Sequence, residues 1–186
     1  SLEKQIPMGG GLGGGSSDAA SALIALNHLW QLGLNQNELM QVGLSLGADV
    51  PFFLLGQNAF VEGIGERLTP LTTEEAWFVI LHPGVAVPTP LIFGSVHLTR
   101  DTKSVKMSDF SAGPLGFGRN DLQAVAAHAF PPVADALDWL SHRANARMTG
   151  SGAGVFATFA SESDADTTLR QVPATWRAWK AKALAK

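Results

Sequence analysis

Gly9-Gly10-Gly11-Leu12-Gly13-Gly14-Gly15 holds six of the chain's 20 glycines, and Ser16-Ser17-Asp18 come directly after them. Glycine tolerates positive φ and carries no Cβ, so successive backbone N–H groups in such a run can turn into one concavity. That concavity suits an anion. If a helix begins at the serines, its first N–H groups and the positive end of its dipole add to the attraction for a phosphate. The hydroxyls of Ser16 and Ser17 add oxygens for a phosphate or a magnesium ion. A second chemical candidate is Asp49, alone in Gly47-Ala48-Asp49-Val50-Pro51-Phe52-Phe53. A carboxylate at that place reads either as a turn or N-cap residue or, beside phosphoryl chemistry, as a buried base for an acceptor hydroxyl.

Spacing separates the known phosphate loops. No Lys comes after the glycines, so the pattern G-x-x-x-x-G-K-[ST] is absent. Gly9, Gly11 and Gly14 formally satisfy G-x-G-x-x-G, but that fingerprint requires a second strand after the helix. A second helix is predicted there instead.

The elements that must position these groups are legible from periodicity and caps. Leu2–Ile6 alternates like a strand and leads into the loop through Pro7. Ser16, Ser17 and Asp18 are N-cap residues for a helix carrying Ala19, Ala22, Leu23, Leu26, Leu29 and Trp30, with Gly33 as its stop. Asn35 and Glu38 form a capping box for a second helix whose apolar stripe is Leu39, Val42 and Leu46, ending at Gly47. Strands are predicted at Trp77–Leu81, Val155–Phe159 and Trp176–Lys180. Helices are predicted from Asn120, paired with Gln123, through Ala127, at Val133–Leu140 behind Pro131-Pro132, and from Ser161. Leu98–Gly118 reads as a long loop.

The segment from Pro7 to Ala20 resembles the second motif of the GHMP kinases, a family that includes galactokinase, homoserine kinase and mevalonate kinase. Further segments are similar in the same order: Gly47–Leu54, Ala59–Glu66, His82–Val85, Pro88–Phe93 and Arg147–Phe156. The resemblance covers nearly the whole chain. It implies an α+β fold with the two-domain GHMP kinase architecture, an incomplete N-terminal α/β domain over residues 1–72 and a ferredoxin-like C-terminal domain over 73–186. It also implies ATP and Mg2+ as cofactors. The nucleotide would be held by Pro7, Met8, Gly9, Gly10, Gly11, Leu12, Gly13, Gly14, Gly15, Ser16 and Ser17, with Lys4 near the adenine.

Within the family, the combination of this glycine loop, this spacing and the Gly-Ala-Asp-Val-Pro-Phe-Phe segment is similar to that of the branch acting on a cytidine diphosphate-linked methylerythritol in non-mevalonate isoprenoid synthesis. The expected reaction is ATP-dependent phosphorylation of its 2-hydroxyl. On that reading Asp49 is the catalytic base, Phe93 stacks on the cytosine, Thr89 lies beside it, and Gly150 and Gly152, with Gly154, approach the ATP loop or the substrate. Homoserine- or mevalonate-type kinases and a non-catalytic nucleotide-binding module are the alternatives. The family's first motif, its catalytic Lys and further cytosine-binding residues would lie upstream of Ser1. Ser1 in place of Met and a strand at the very start carry the same expectation.

Composition narrows the partners. The 186 residues are 46% hydrophobic with a formal charge of -3 and a pI near 5.9. A core is affordable, and there is no basic field for nucleic acid. No cysteine is present, which removes disulfides and thiol chemistry and fits a reducing cytoplasm. Apolar runs fall short of the roughly 18 residues of a membrane span. His28, His82, His97, His128 and His142 show no metal-ligand spacing, so no protein-bound metal is expected. The expected state is a monomer or weak homodimer.

Overall fold

The computed structural model describes residues 3–112 and 118–184, and the backbone but not the side chains of Ser111 and Ala112. It divides into two compact units. One comprises Gly13–Thr73 with Leu184, and the other comprises the segment up to Leu12 with Glu74–Ala183.

The first unit is three helices and a hairpin. Helix α1 (Gly14–Leu29) precedes α2 (Gln36–Leu46) and the short α3 (Val50–Leu55), then strands β1 (Ala59–Glu62) and β2 (Arg67–Pro70) pair antiparallel. The predicted capping box is present, with the Glu38 N–H on Asn35 Oδ1 at 3.1 Å and the Asn35 N–H on Glu38 Oε2 at 2.8 Å. Ala20, Leu39, Val50 and Leu54 form the core. The predicted stripe on α2 is corrected: Val42 and Leu46 are exposed, and the buried row is Leu39 and Gly43. Gly43 decides this, because a Cβ there would lie 2.6 Å from Leu54 and 2.9 Å from Val50, so only glycine lets α3 approach.

The second unit is built on a four-stranded antiparallel sheet. In chain order it contains β3 (Trp77–His82), α4 (Thr89–Phe93), α5 (Met107–Ala112), α6 (Leu122–Ala129), α7 (Pro131–Ser141), β4 (Ala146–Met148), β5 (Val155–Phe159), α8 (Glu162–Arg170) and β6 (Arg177–Lys182). The sheet order is β4-β5-β3-β6, which with this β-α-β-β-α-β path is the ferredoxin-like arrangement. Strand alternation sends Val79, Leu81, Val155, Ala157 and Phe159 into a core with Val133, Ala136, Leu137 and Leu140 of α7 and Ala165 of α8. The opposite pleat carries Phe78, Ile80, Phe156 and His82.

Two predicted elements differ. Residues 3–6 form no strand, and Ile6 is largely exposed. A strand exists only as part of a ladder, and no described strand pairs with this segment. The predicted loop Leu98–Gly118 contains α5, and its residues 113–117 lie outside the described ones. Among the described residues no helix is long and apolar enough to cross a membrane.

Candidate active site

In the sheet-bearing unit, the first half of the glycine loop is laid against the turn between β4 and β5. The Ala153 N–H donates to the Gly9 carbonyl at 3.2 Å, the Gly154 N–H to the Gly10 carbonyl at 3.0 Å, and Thr149 Oγ1 to the Gly11 carbonyl at 2.8 Å. Three consecutive carbonyls are therefore engaged from one side. In a trans peptide the N–H points opposite to the C=O, so the N–H groups of Gly10, Gly11 and Leu12 face away from this anchor. Positive φ at Gly9, Gly11 and Gly13 (69°, 67° and 67°) alternates along the loop, the backbone pattern of an anion-binding concavity.

The close approach requires glycine on both sides. A Cβ on Gly11 would lie 2.2 Å from the Thr149 carbonyl oxygen, and one on Gly154 would lie 2.5 Å from the Gly10 oxygen. A Cβ on Gly150 (φ 54°) would lie 3.2 Å from the Gly11 backbone, and one on Gly152 (φ 93°) would meet Met148 Sδ at 3.0 Å.

The turn is itself held by Asn120. Its Nδ2 donates to the carbonyls of Met148 (2.9 Å) and Gly150 (2.8 Å), and its Oδ1 accepts from the Leu122 N–H (3.0 Å). Gln123 Oε1 accepts from the Met148 N–H at 2.8 Å. The pair read as a helix cap is thus a clamp on the Met148–Gly150 turn, and the N-cap position of α6 belongs to Asp121, with no side-chain cap bond. Asn120→Ala removes three hydrogen bonds and strands two carbonyls. It is expected to lower stability by about 2–4 kcal/mol, read by denaturant unfolding, with Asn120→Asp recovering only the bond to Leu122.

Thr89, the first residue of α4, shares a 2.7 Å hydrogen bond with Ser151 Oγ. Phe93 ends the same helix 52% exposed, an aromatic residue not consumed by the core. Hence Pro7–Leu12, Thr89, Phe93, Gly150 and Gly152 all belong to the sheet-bearing unit, as does Lys4, which is exposed in irregular backbone.

Gly13–Ser17 and Asp49 belong to the helical unit. The N-cap of α1 is Gly13, in the left-handed region; Ser16 and Ser17 lie inside the first turn and Asp18 just beyond it, correcting their prediction as caps. The Ser17 N–H bonds the Gly13 carbonyl at 2.9 Å, so the N–H groups of Gly14, Gly15 and Ser16 precede the first helical bond. Phe53 makes glycine necessary at this cap: a Cβ on Gly13 would lie 2.7 Å from its ring. A Cβ on Gly15 would meet nothing within 4 Å. Asp49 occupies the N-cap position of α3 with φ -87° and ψ -10°, yet its carboxylate makes no cap bond. It is exposed, where burial was predicted.

Sequence reading overlooked Asn120 as a clamp, and it overlooked Thr149, Ser151 and His82. His82 is 7% exposed, and its Nδ1 accepts the Gly84 N–H at 3.2 Å. Burial, with the Arg177 guanidinium beside it, holds the imidazole below its ordinary range. The only advance signals were polar residues placed at strand ends and turns. Among the described residues, no three His, Asp or Glu side chains gather as a metal site.

Residues 1–57 match the GHMP kinases N terminal domain, and residues 107–178 match GHMP kinases C terminal. The chain is 63% identical over 183 residues to a 4-diphosphocytidyl-2-C-methyl-D-erythritol kinase of Herminiimonas arsenicoxydans, covering 98% of this chain and 64% of the relative. A protein of the same name from Janthinobacterium sp. (strain Marseille) is also 63% identical, with 98% and 63% covered. The chain therefore spans somewhat less than two thirds of these curated relatives. A crystal structure of 4-(cytidine 5'-diphospho)-2C-methyl-D-erythritol kinase superposes with a TM-score of 0.81 at 34% identity, over 97% of this chain and 69% of that one. Homoserine kinase from Cytophaga hutchinsonii, at 14% identity and a TM-score of 0.56, shares the fold.

Proposed function

Because this chain belongs to the GHMP kinase family, we propose that the whole protein transfers a phosphoryl group from ATP to the 2-hydroxyl of 4-diphosphocytidyl-2-C-methyl-D-erythritol. The reaction would supply non-mevalonate isoprenoid synthesis in the cytoplasm, and the protein would act as a monomer or weak homodimer. On this reading residues 1–72 form the later part of the family's N-terminal domain, and residues 73–186 form its C-terminal domain.

The observation that carries the proposal is the anchored glycine strip. With the Gly9, Gly10 and Gly11 carbonyls held by Ala153, Gly154 and Thr149, the loop offers backbone donors with no side chain in front of them, which fits a nucleotide's phosphates. The N-terminal turn of α1 offers further donors, and Pro7, Met8 and Lys4 would line the nucleotide. Mg2+ usually reaches kinases with several waters and phosphate oxygens as ligands. Ser16 or Ser17 Oγ would be the protein's oxygen toward it. When bound, ATP with Mg2+ supplies the transferable phosphoryl group with part of its charge neutralised.

The remaining chemistry falls to the chain's own groups. Asp49 Oδ would accept the proton of the attacking hydroxyl, for which an exposed carboxylate free of a capping bond is suited. Phe93 would present its ring to the cytosine, with Thr89 beside it. Gly150 and Gly152 would keep the approach open.

Phe93→Ala tests the substrate assignment. Stacking is worth roughly 1–3 kcal/mol per base, so the KM for the cytidyl substrate is expected to rise about tenfold to a hundredfold. The KM for ATP and the Tm should stay nearly unchanged, since Phe93 is exposed and lies outside the buried core. Equal increases for both ligands would sink the cytosine role. Turnover of homoserine or mevalonate without any cytidyl requirement would move the protein to another branch of the family.

A further inference from the structure

His82 ends β3 on the pleat opposite the helical core, in register with Arg177 of β6. Its Nδ1 is an acceptor for the Gly84 N–H, which places the ring proton on Nε2. That Nε2 is buried and has no hydrogen-bond partner. Buried donors are nearly always satisfied, so an unmet one requires an explanation. The ring edge bearing it faces the glycine loop: the point where a Gly10 Cβ would stand is 3.3 Å from His82 Cδ2 and 3.3 Å from the Pro7 carbonyl oxygen.

The neighbouring bonds suggest what the donor is for. For the loop to turn N–H groups toward an anion, each carbonyl must find a donor behind it. Gly9, Gly10 and Gly11 have theirs in Ala153, Gly154 and Thr149. The Pro7 carbonyl, at the entrance of the same strip, borders the same point beside Gly10 as the His82 ring edge that carries the unmet Nε2–H.

We infer that His82 is a positioning residue for the glycine loop, its Nε2–H taking the Pro7 carbonyl when the loop closes on a nucleotide phosphate. The inference rests on the phosphate-binding reading of that loop. His82 would then act through backbone, touching neither phosphate nor alcohol. The neutral imidazole suits the role, since burial and Arg177 both oppose its protonation.

Two substitutions in the full-length protein separate the ring's two nitrogens. His82→Asn keeps an acceptor near the Nδ1 position and loses the distal donor, whereas His82→Gln keeps an N–H near the Nε2 position and loses the acceptor. Titration with ATP should show Kd at least tenfold weaker for His82→Asn and within about threefold of the unsubstituted protein for His82→Gln. At saturating ATP, kcat should be retained. The reverse ranking, or equal ATP affinity in both variants, would overturn the inference and leave His82 as a brace for the Gly84 turn.

Should either variant fail to fold, the unsubstituted protein with 15N-labelled histidine decides. The His82 ring should show the Nε2–H tautomer, and ATP should shift that proton downfield. An Nδ1–H tautomer, or a signal indifferent to bound ATP, would refute it. An unsubstituted protein that binds no ATP would overturn both this inference and the proposed function. ATP binding that is insensitive to the donor overturns this inference alone.

Discussion

Asp49→Asn is expected to lower turnover by about 10²–10⁴, the usual loss on removing a general base, with thermal stability and both ligand affinities preserved. The structure supplies the reason for expecting that split. Asp49 sits at the N-cap position of α3, but its carboxylate accepts no N–H of the first turn, and it is exposed. The usual cost of deleting a cap, about 0.5–2 kcal/mol, therefore has no bond to act through. Asparagine keeps the shape and can still hydrogen-bond an alcohol, but it cannot take the proton. Thermal unfolding and single-turnover phosphoryl transfer, measured on the same preparation of the full-length protein, separate the roles. Near-normal transfer would remove Asp49 from the chemistry, and a fall in Tm with normal transfer per folded molecule would assign it to the turn.

The second large effect is expected at the glycine loop, where two positions should fail in different ways. Gly15→Val places a branched side chain at the first turn of α1, in space where a Cβ meets nothing within 4 Å. Helix formation there is not impaired, since valine is no worse than glycine in a helix. Phosphate access to the N–H groups before the first helical bond is impaired. Each charge-assisted hydrogen bond lost costs about 1.5–3 kcal/mol, so ATP binding should weaken tenfold or more at unchanged Tm. Gly11→Val combines a φ of 67° with a Cβ placed 2.2 Å from the Thr149 oxygen. It should lower both Tm and ATP affinity, because the strip can no longer lie on the β4–β5 turn. Isothermal titration with ATP and thermal unfolding of both variants test the pair. Unchanged ATP affinity in a folded Gly15→Val protein would show that the helix N-terminus does not meet phosphate.

What sequence alone determined are the features whose physics is local. A capping box needs only Asn35 and Glu38 three residues apart, and it formed as predicted. The enrichment of β-branched and aromatic residues in Trp77–Leu81 and Val155–Phe159 marked both central strands, because such side chains favour a pleated backbone whatever strand lies beside it. Ser161 capped α8 for the same kind of reason. The glycine run predicted a backbone that turns through positive φ, found at Gly9, Gly11 and Gly13, and the two helices after it separated the competing phosphate-loop patterns. Resemblance then carried the family, the two-domain fold and the site residues as expectations.

Tertiary structure decided what depends on distant partners. The run at residues 3–6 alternates correctly and is no strand, since a ladder needs a second chain segment. The N-cap of α1 fell at Gly13, a left-handed position where Phe53 of α3 leaves no room for a Cβ, and not at the serines. Asn120 had the spacing of a cap, yet its amide went to carbonyls 28 and 30 residues away. Thr149 reaches the Gly11 carbonyl across 138 residues of sequence. Periodicity and capping cannot encode such bonds: they exist only once β4, β5 and the turn between them have folded, and they are what aims the N–H groups of the glycine loop.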